Sequence, residues 1–296
     1  MNVEDFIIYL KTERRVSEHT VLAYQKDIEH FFDFMQHDLN VQTLEAITSD
    51  DVRTWIVSLI EDDKNSTRTV NRKLSSLKAY FRYQLKIGRL TNNPMNEVLA
   101  PKISKRLPVY VEQKDMEHLF SPELFEDTFE GKRDQMILEL FYATGIRLSE
   151  LLNLKREDVN MSQLTVKVLG KRNKERIIPF GEHLCELFTN YFDIYQKIIH
   201  PDSKNYCIFV AANGKQLYPK AVYRIVRKYL DMVTTVDKRS PHVIRHTFAT
   251  HLLNNGADLN AIKAILGHSS LAATQVYTHN SMEQLKSIYK QAHPRA

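Results

Sequence analysis

A chain of 296 residues, 43% hydrophobic and 26% charged with few Gly and Pro, has the composition of a folded protein and the length for two domains. It holds no apolar run of the roughly 18 residues that span a membrane, its acidic start is unlike a secretory signal, and Cys185 and Cys207 are too few for a disulfide framework, so a cytoplasmic protein is expected. A net charge of +5 and a pI near 9.0 are compatible with a polyanionic partner without establishing one.

The first hundred residues predict helices. Val3, Phe6, Ile7 and Leu10 share one face, and Val21, Tyr24, Ile28, Phe31, Phe32 and Met35 form a second stripe. Thr48 and Asp51 have capping-box spacing ahead of Val52, Ile56, Leu59 and Ile60. Val70, Leu74, Leu77, Phe81 and Leu85 give a fourth helix its apolar side, and Gly88 ends it. That segment carries Arg68, Arg72, Lys73, Lys78, Arg82, Lys86 and Arg89 with no acid between them. Such a block is usually solvated surface; a helix basic along its length is also suited to phosphate contact, with Arg68, Arg72, Lys73 and Lys78 as candidates.

Pro94, Pro101 and Pro108 interrupt the helical pattern, and Lys102, Lys105 and Arg106 make the stretch basic. Residues 93–108 are therefore expected to link a helical domain, 1–92, to a second domain, 109–296. In the latter, Met136, Ile137, Leu140 and Phe141 predict a helix stopped by Gly145. Leu164–Leu169 and Glu175–Pro179 predict two strands joined at Gly170-Lys171-Arg172-Asn173. Ser240 and Pro241 can open a helix that Asn255-Gly256 ends, Asp258 to Gly267 predicts another, and Ser281 can cap a last one. The fold expected is mainly α with a small β-sheet, an α+β second domain after an all-α first.

Several residues of the second domain have the chemistry to cut DNA without a metal. A planar, permanently charged guanidinium binds two phosphate oxygens at once, a nucleophile must attack in line, and an acid must protonate the leaving hydroxyl. Arg147 follows the Gly145 stop, Lys171 lies at the hairpin tip, and His242 and Arg245 share a face at a helix start, where the dipole adds positive charge. His268 follows Gly267, and Tyr277 lies nine positions further on. Plainer readings stand beside these. Arg147 can pair with Glu150, Lys171 can be a solvated turn lysine, His242 an ordinary helix-start residue, His268 a C-cap donor, and Tyr277 one of 14 structural tyrosines. His242 and His246 also have zinc-ligand spacing, but Arg245 would set a cation among the ligands, and no metal or other cofactor is expected.

The run Ser240-Pro241-His242-Val243-Ile244-Arg245-His246-Thr247-Phe248-Ala249-Thr250-His251, with Leu266-Gly267-His268 and Gln275-Val276-Tyr277-Thr278-His279, resembles the tyrosine site-specific recombinases, the phage integrase family, and within it the bacterial Xer type. The likeness covers nearly the whole chain. It implies that Arg147 and Arg245 clamp the scissile phosphate and that Tyr277 is the nucleophile of a 3′-phosphotyrosyl intermediate. It implies Lys171 as the acid for the 5′-oxygen, His242 as a general acid/base and His268 as a phosphate support. The family pattern has Gly-Lys-Gly at the hairpin, whereas Arg172 stands here in the second glycine's place; Asn173 is better suited to positive φ.

The resemblance further implies a two-domain clamp around double-stranded DNA, with the 1–92 domain binding the core of the recombination site and the final helix, through Leu285, Ile288 and Tyr289, docking into a neighbouring subunit. A homotetramer, or a heterotetramer with a paralogous recombinase, would then hold two sites. The activity implied needs neither ATP nor metal and would resolve chromosome dimers at cell division, with the FtsK translocase as a further partner. An integrase or resolvase of a mobile element, a type IB-like topoisomerase and a non-catalytic DNA-binding protein are the alternatives; the last has no use for a tyrosine nucleophile.

Overall fold

The computed structural model describes residues 3–103, 109–170, 174–198, 207–267 and 279–295. The chain divides into two compact units, Met1–Arg106 and Leu107–Ala296.

The first unit is built from α1 (Glu4–Thr12), α2 (Glu18–His37), α3 (Ser49–Glu61) and α4 (Thr67–Lys86). Each of the last three begins on a hydroxyl that satisfies a first-turn amide: Ser17 accepts from Thr20, Thr48 from Asp51 in a complete capping box, and Ser66 from Thr69. Phe6, Phe31, Trp55, Leu77 and Phe81 are fully buried between them, with Phe31 edge-on to Trp55 at 5.0 Å. Ile60 departs from the expected stripe; it is 40% exposed, and Trp55 fills the core from the same helix. The predicted linker also begins too early. Met95 and Val98 are buried in this unit's core, Ser49 Oγ donates to the Pro94 carbonyl at 2.8 Å, and Asn71 Nδ2 donates to that of Pro101 at 2.9 Å. Two apolar side chains and two tethered carbonyls make residues 94–101 part of the helical unit.

In the second unit α5 (Gln113–Leu119) precedes α6 (Phe129–Thr144), which is buried along most of its circumference from Met136 to Thr144 and forms the centre of the core. A short helix α7 (Leu148–Leu152) follows, then a three-stranded antiparallel sheet, β1 (Val159–Asn160), β2 (Thr165–Leu169) and β3 (Glu175–Pro179), in that spatial order. The register sets Val166 opposite Ile178 and Leu169 opposite Glu175, and Gly170 N–H closes the hairpin on the Lys174 carbonyl at 2.8 Å. Strand β1, only two residues long, is absent from the sequence expectation.

The remaining helices are α8 (Glu182–Ile198), α9 (Pro219–Val233), α10 (Pro241–Asn254), α11 (Leu259–Leu266) and α12 (His279–Ala292). Ser240 does occupy the N-cap of α10, but its side chain makes no capping hydrogen bond. Helix α12 begins at His279, so Ser281 lies inside its first turn rather than capping it. Its apolar side is covered by its own unit. Leu285, Tyr289 and Ala292 belong to the second core, His293 stacks on Tyr289 at 4.7 Å and hydrogen-bonds the Tyr142 carbonyl, and Asn255 donates to the Ala292 carbonyl. The side chains expected to meet a neighbouring subunit are, in the single chain, packed against their own unit.

Candidate active site

Helix α6 stops at Gly145, whose φ of +59° is left-handed and whose missing side chain admits its neighbours: a Cβ there would lie 2.5 Å from Phe248 Cδ1. The chain then turns, and Arg147 stands in extended conformation at the N-cap of α7. Its backbone amide donates to Glu150 Oε2 at 2.6 Å and its Nη1 to Oε1 at 2.8 Å, so the pairing that any Arg147–Glu150 spacing offers is present. More is present as well. Arg176, from β3, grips the same carboxylate through Nη1 and Nη2 at 2.6 and 2.8 Å. Arg245, from the second turn of α10, is 8% exposed and donates through Nη1 to the Gly145 carbonyl.

The three guanidinium groups meet at one place, the C-terminal end of α11. Arg176 Nε donates to the Ile265 carbonyl at 2.8 Å, Arg245 Nη2 to that of Leu266 at 2.7 Å, and Arg147 Nη2 to that of Gly267 at 3.1 Å. A helix end has carbonyls without intrahelical partners and a negative dipole end, and here three consecutive ones each take a different arginine. Gly267 itself is left-handed at φ +65° and leaves room for the Arg176 side chain, whose Cδ would be 3.0 Å from a Cβ.

Three arginines surround a single carboxylate, so the cluster has an excess of positive charge. Burial alone would raise the Glu150 carboxyl, but the hydrogen bonds and charge of Arg176, then the hydrogen bonds of Arg147, outweigh it and hold the group at about 2. Burial, then repulsion from Arg147 and Arg176, pulls Arg245 down to about 10, which leaves it charged at neutral pH. Arg147 is the accessible member, with 30% of its side chain exposed, and it borders an open cavity of about 680 Å³ lined also by Ser149, Asn153, Gln216 and Tyr218. The arrangement can receive an anion that brings at least one negative charge and several oxygens.

His242 lies one turn before Arg245 on α10 and is exposed; partial burial, then His246 and Arg245, lower its pKa. Its ring lies 5.9 Å from that of His246, and among the described residues no group of three or more His, Cys, Asp or Glu side chains is placed to hold a metal. Lys171, His268 and Tyr277 lie outside the described residues. In the first unit Arg68, Arg72 and Lys78 are exposed on α4, and Arg72 is fixed by the buried carboxylate of Asp27, which also accepts from Ser76 at 2.7 Å. Lys73 is different. It is 9% exposed, its ammonium sits 5.8 Å from the Trp55 ring, and burial lowers its pKa, so it belongs to the core side of α4 and is not an available phosphate ligand.

Two members of the cluster went unsingled in the sequence. Glu150 was legible only as a partner of Arg147, and Arg176 not at all, although β3 alternates and places Arg176 with Ile178 on the inward face.

Comparison with known proteins agrees with this architecture. Residues 109–284 match the model of the phage integrase family, and residues 3–88 match that of the phage integrase N-terminal SAM-like domain. The chain is 37% identical over 318 residues to the tyrosine recombinase XerC of Chlorobaculum parvum, covering 99% of this chain and 94% of that protein. It is 39% identical over 292 residues to the XerC of Staphylococcus haemolyticus, with 98% and 96% covered. Among solved structures it is similar to the XerA recombinase, at 27% identity and a TM-score of 0.50 over 99% of both chains. It also resembles the XerH site-specific recombinase bound to palindromic difH substrate, at 21% identity and a TM-score of 0.72, with 93% of this chain and 80% of that one covered. The chain belongs to the phage integrase family of tyrosine recombinases. Its activity is site-specific recombination.

Proposed function

We propose that the protein cuts and rejoins double-stranded DNA through a covalent bond to Tyr277. The phenolic oxygen attacks the scissile phosphorus as its proton passes to His242; the bond to the 5′-oxygen breaks, and Lys171 protonates that oxygen. A 3′-phosphotyrosyl link and a free 5′-hydroxyl result, and the reverse attack by a 5′-hydroxyl from the other duplex reseals the strand. Arg147 and Arg245 hold the non-bridging oxygens while negative charge grows on them, and His268 supports the same phosphate. Because the phosphotyrosyl bond conserves the energy of the bond it replaces, the exchange needs no nucleotide, and the arginines supply the charge stabilisation that a metal would otherwise give.

The observation that carries this reading is the excess positive charge of the Arg147–Arg176–Arg245 cluster around Glu150, fixed in place before any phosphate arrives. The helical unit, residues 94–101 included, serves as a DNA-binding domain in which Arg68, Arg72 and Lys78 face the duplex, and 109–296 serve as the catalytic domain. Likeness to proteins named XerC over nearly the full chain supports a role in resolving chromosome dimers in the cytoplasm. The assembly would be a homotetramer or a heterotetramer with a paralogous recombinase, with the FtsK translocase as a further partner.

A nicked suicide substrate tests the chemistry. The wild-type protein should yield a protein–DNA species that survives denaturant, and Tyr277→Phe should bind the same DNA and yield none. A denaturant-stable adduct from the Phe variant would remove Tyr277 from its role.

A further inference from the structure

Arg176 is the most enclosed arginine of the cluster. It is 5% exposed, and its three anchored nitrogens are spent on the chain itself: Nη1 and Nη2 on Glu150, Nε on the Ile265 carbonyl. Those contacts join three elements of distant sequence. Arg176 comes from β3, Glu150 from α7, and Ile265 from the last turn of α11.

Each of these elements carries part of the site. Helix α7 begins on Arg147, whose amide and guanidinium both bind Glu150. The end of α11 offers the two carbonyls that orient Arg245 and Arg147, at Leu266 and Gly267. Strand β3 is the return arm of the hairpin that bears Lys171, and the chain leaving α11 at Gly267 continues directly to His268 and Tyr277. The fit is close: Arg176 passes beneath Gly267, where a Cβ would come within 3.0 Å of its Cδ and 3.3 Å of its Nε.

We propose that Arg176 is the positioning residue of this site, a buried guanidinium that fixes the end of α11 against α7 and β3 and so sets the two phosphate-facing arginines in one frame. It touches no substrate. The planar fork is what the role requires, because a single group must meet both oxygens of a carboxylate and a carbonyl to its side. A lysine keeps the charge opposite Glu150 but cannot span the three acceptors. The inference rests on the reading of Arg147, Arg245 and Tyr277 given above.

The test separates rate from binding. Arg176→Met and Arg176→Lys are compared with wild type for dissociation constant on duplex site DNA, melting temperature, and single-turnover cleavage of the suicide substrate with DNA fully bound and the folded fraction matched. Cleavage by Arg176→Met is expected to fall about a hundredfold, the size of effect that a misplacement of about an ångström has in a preorganised site. Affinity should stay within about threefold, since the many other phosphate contacts remain. Arg176→Lys should recover little of the rate. A merely stabilising residue would lower the melting temperature and leave the rate of the folded, saturated complex at the wild-type value, which overturns the proposal. Full recovery by Arg176→Lys also overturns it, because charge alone would then suffice. Tyr277→Phe and Arg147→Ala run alongside as markers. An active Tyr277→Phe defeats the underlying reading and the inference with it, whereas inert markers beside a fully active Arg176→Met defeat the inference alone.

Discussion

Two groups of basic residues in this protein are held in opposite ways. On α4, Arg68 and Lys78 extend from an exposed face, and only Arg72 among the three candidates there has a fixed partner. In the second unit Arg147, Arg176 and Arg245 are each anchored at two or more acceptors, and two of them are almost wholly enclosed. Exposed charge on long side chains is screened by salt and adapts to a polyanion at little cost to the fold. Enclosed charge costs desolvation during folding, and in return its orientation is settled before the ligand arrives. Basic residues can thus serve affinity in one place and rate in the other, with the same side chain.

Four substitutions sharpen or break that contrast, and the largest effect falls on the shared carboxylate. Glu150→Gln leaves two arginines without their counter-charge and should cost about 3–5 kcal/mol in urea unfolding, the range for removing one partner of a buried ion pair. The folded-state carboxyl at about 2 lies below its ordinary value of 4.5, so its contribution is complete above that value and is lost as pH falls toward 2. The Gln variant should lack that part of the acid sensitivity, and an unchanged acid transition would contradict the geometry.

Arg245→Ala comes next. Single-turnover cleavage should fall about a hundredfold to a thousandfold, the effect of losing one preorganised stabiliser of developing charge. Affinity for duplex DNA should change far less, and a loss confined to affinity would place Arg245 with the α4 group instead. The smallest effect belongs to Arg68→Ala and Lys78→Ala. Each phosphate contact removed should lower the slope of log affinity against log salt by about 0.9, and cleavage by the saturated complex should suffer far less than with Arg245→Ala. A flat salt response for both would remove α4 from the DNA surface.

Much of the fold was legible because local signals and global packing agree. The capping box at Thr48 and the glycine stops at Gly145 and Gly267 lie at real helix ends, both glycines left-handed. Lys73 departs from the expected basic face because, three positions after Val70 and one before Leu74, it flanks the apolar stripe and goes inside with it. Residues 94–101 stay with the helical unit because prolines mark the end of a helix, not the end of a domain. The Glu150–Arg176 contact was beyond reach, since it joins residues 26 positions apart through a strand too short to announce its neighbours. A buried charge has no local sequence signature; only the partner makes it tolerable.

Asp27 has a consequence for Arg72 that concerns order rather than charge. A free arginine on a surface loses rotamer freedom when a ligand captures it, at about 0.5–1.5 kcal/mol for an immobilised side chain. Arg72 has already surrendered part of that freedom, because the carboxylate of Asp27, itself fixed by Ser76, holds one edge of the guanidinium. The remaining N–H groups project from a stem that no longer wanders. Capture of those groups by an anionic ligand therefore costs less rotamer freedom at this position than at Arg68 or Lys78.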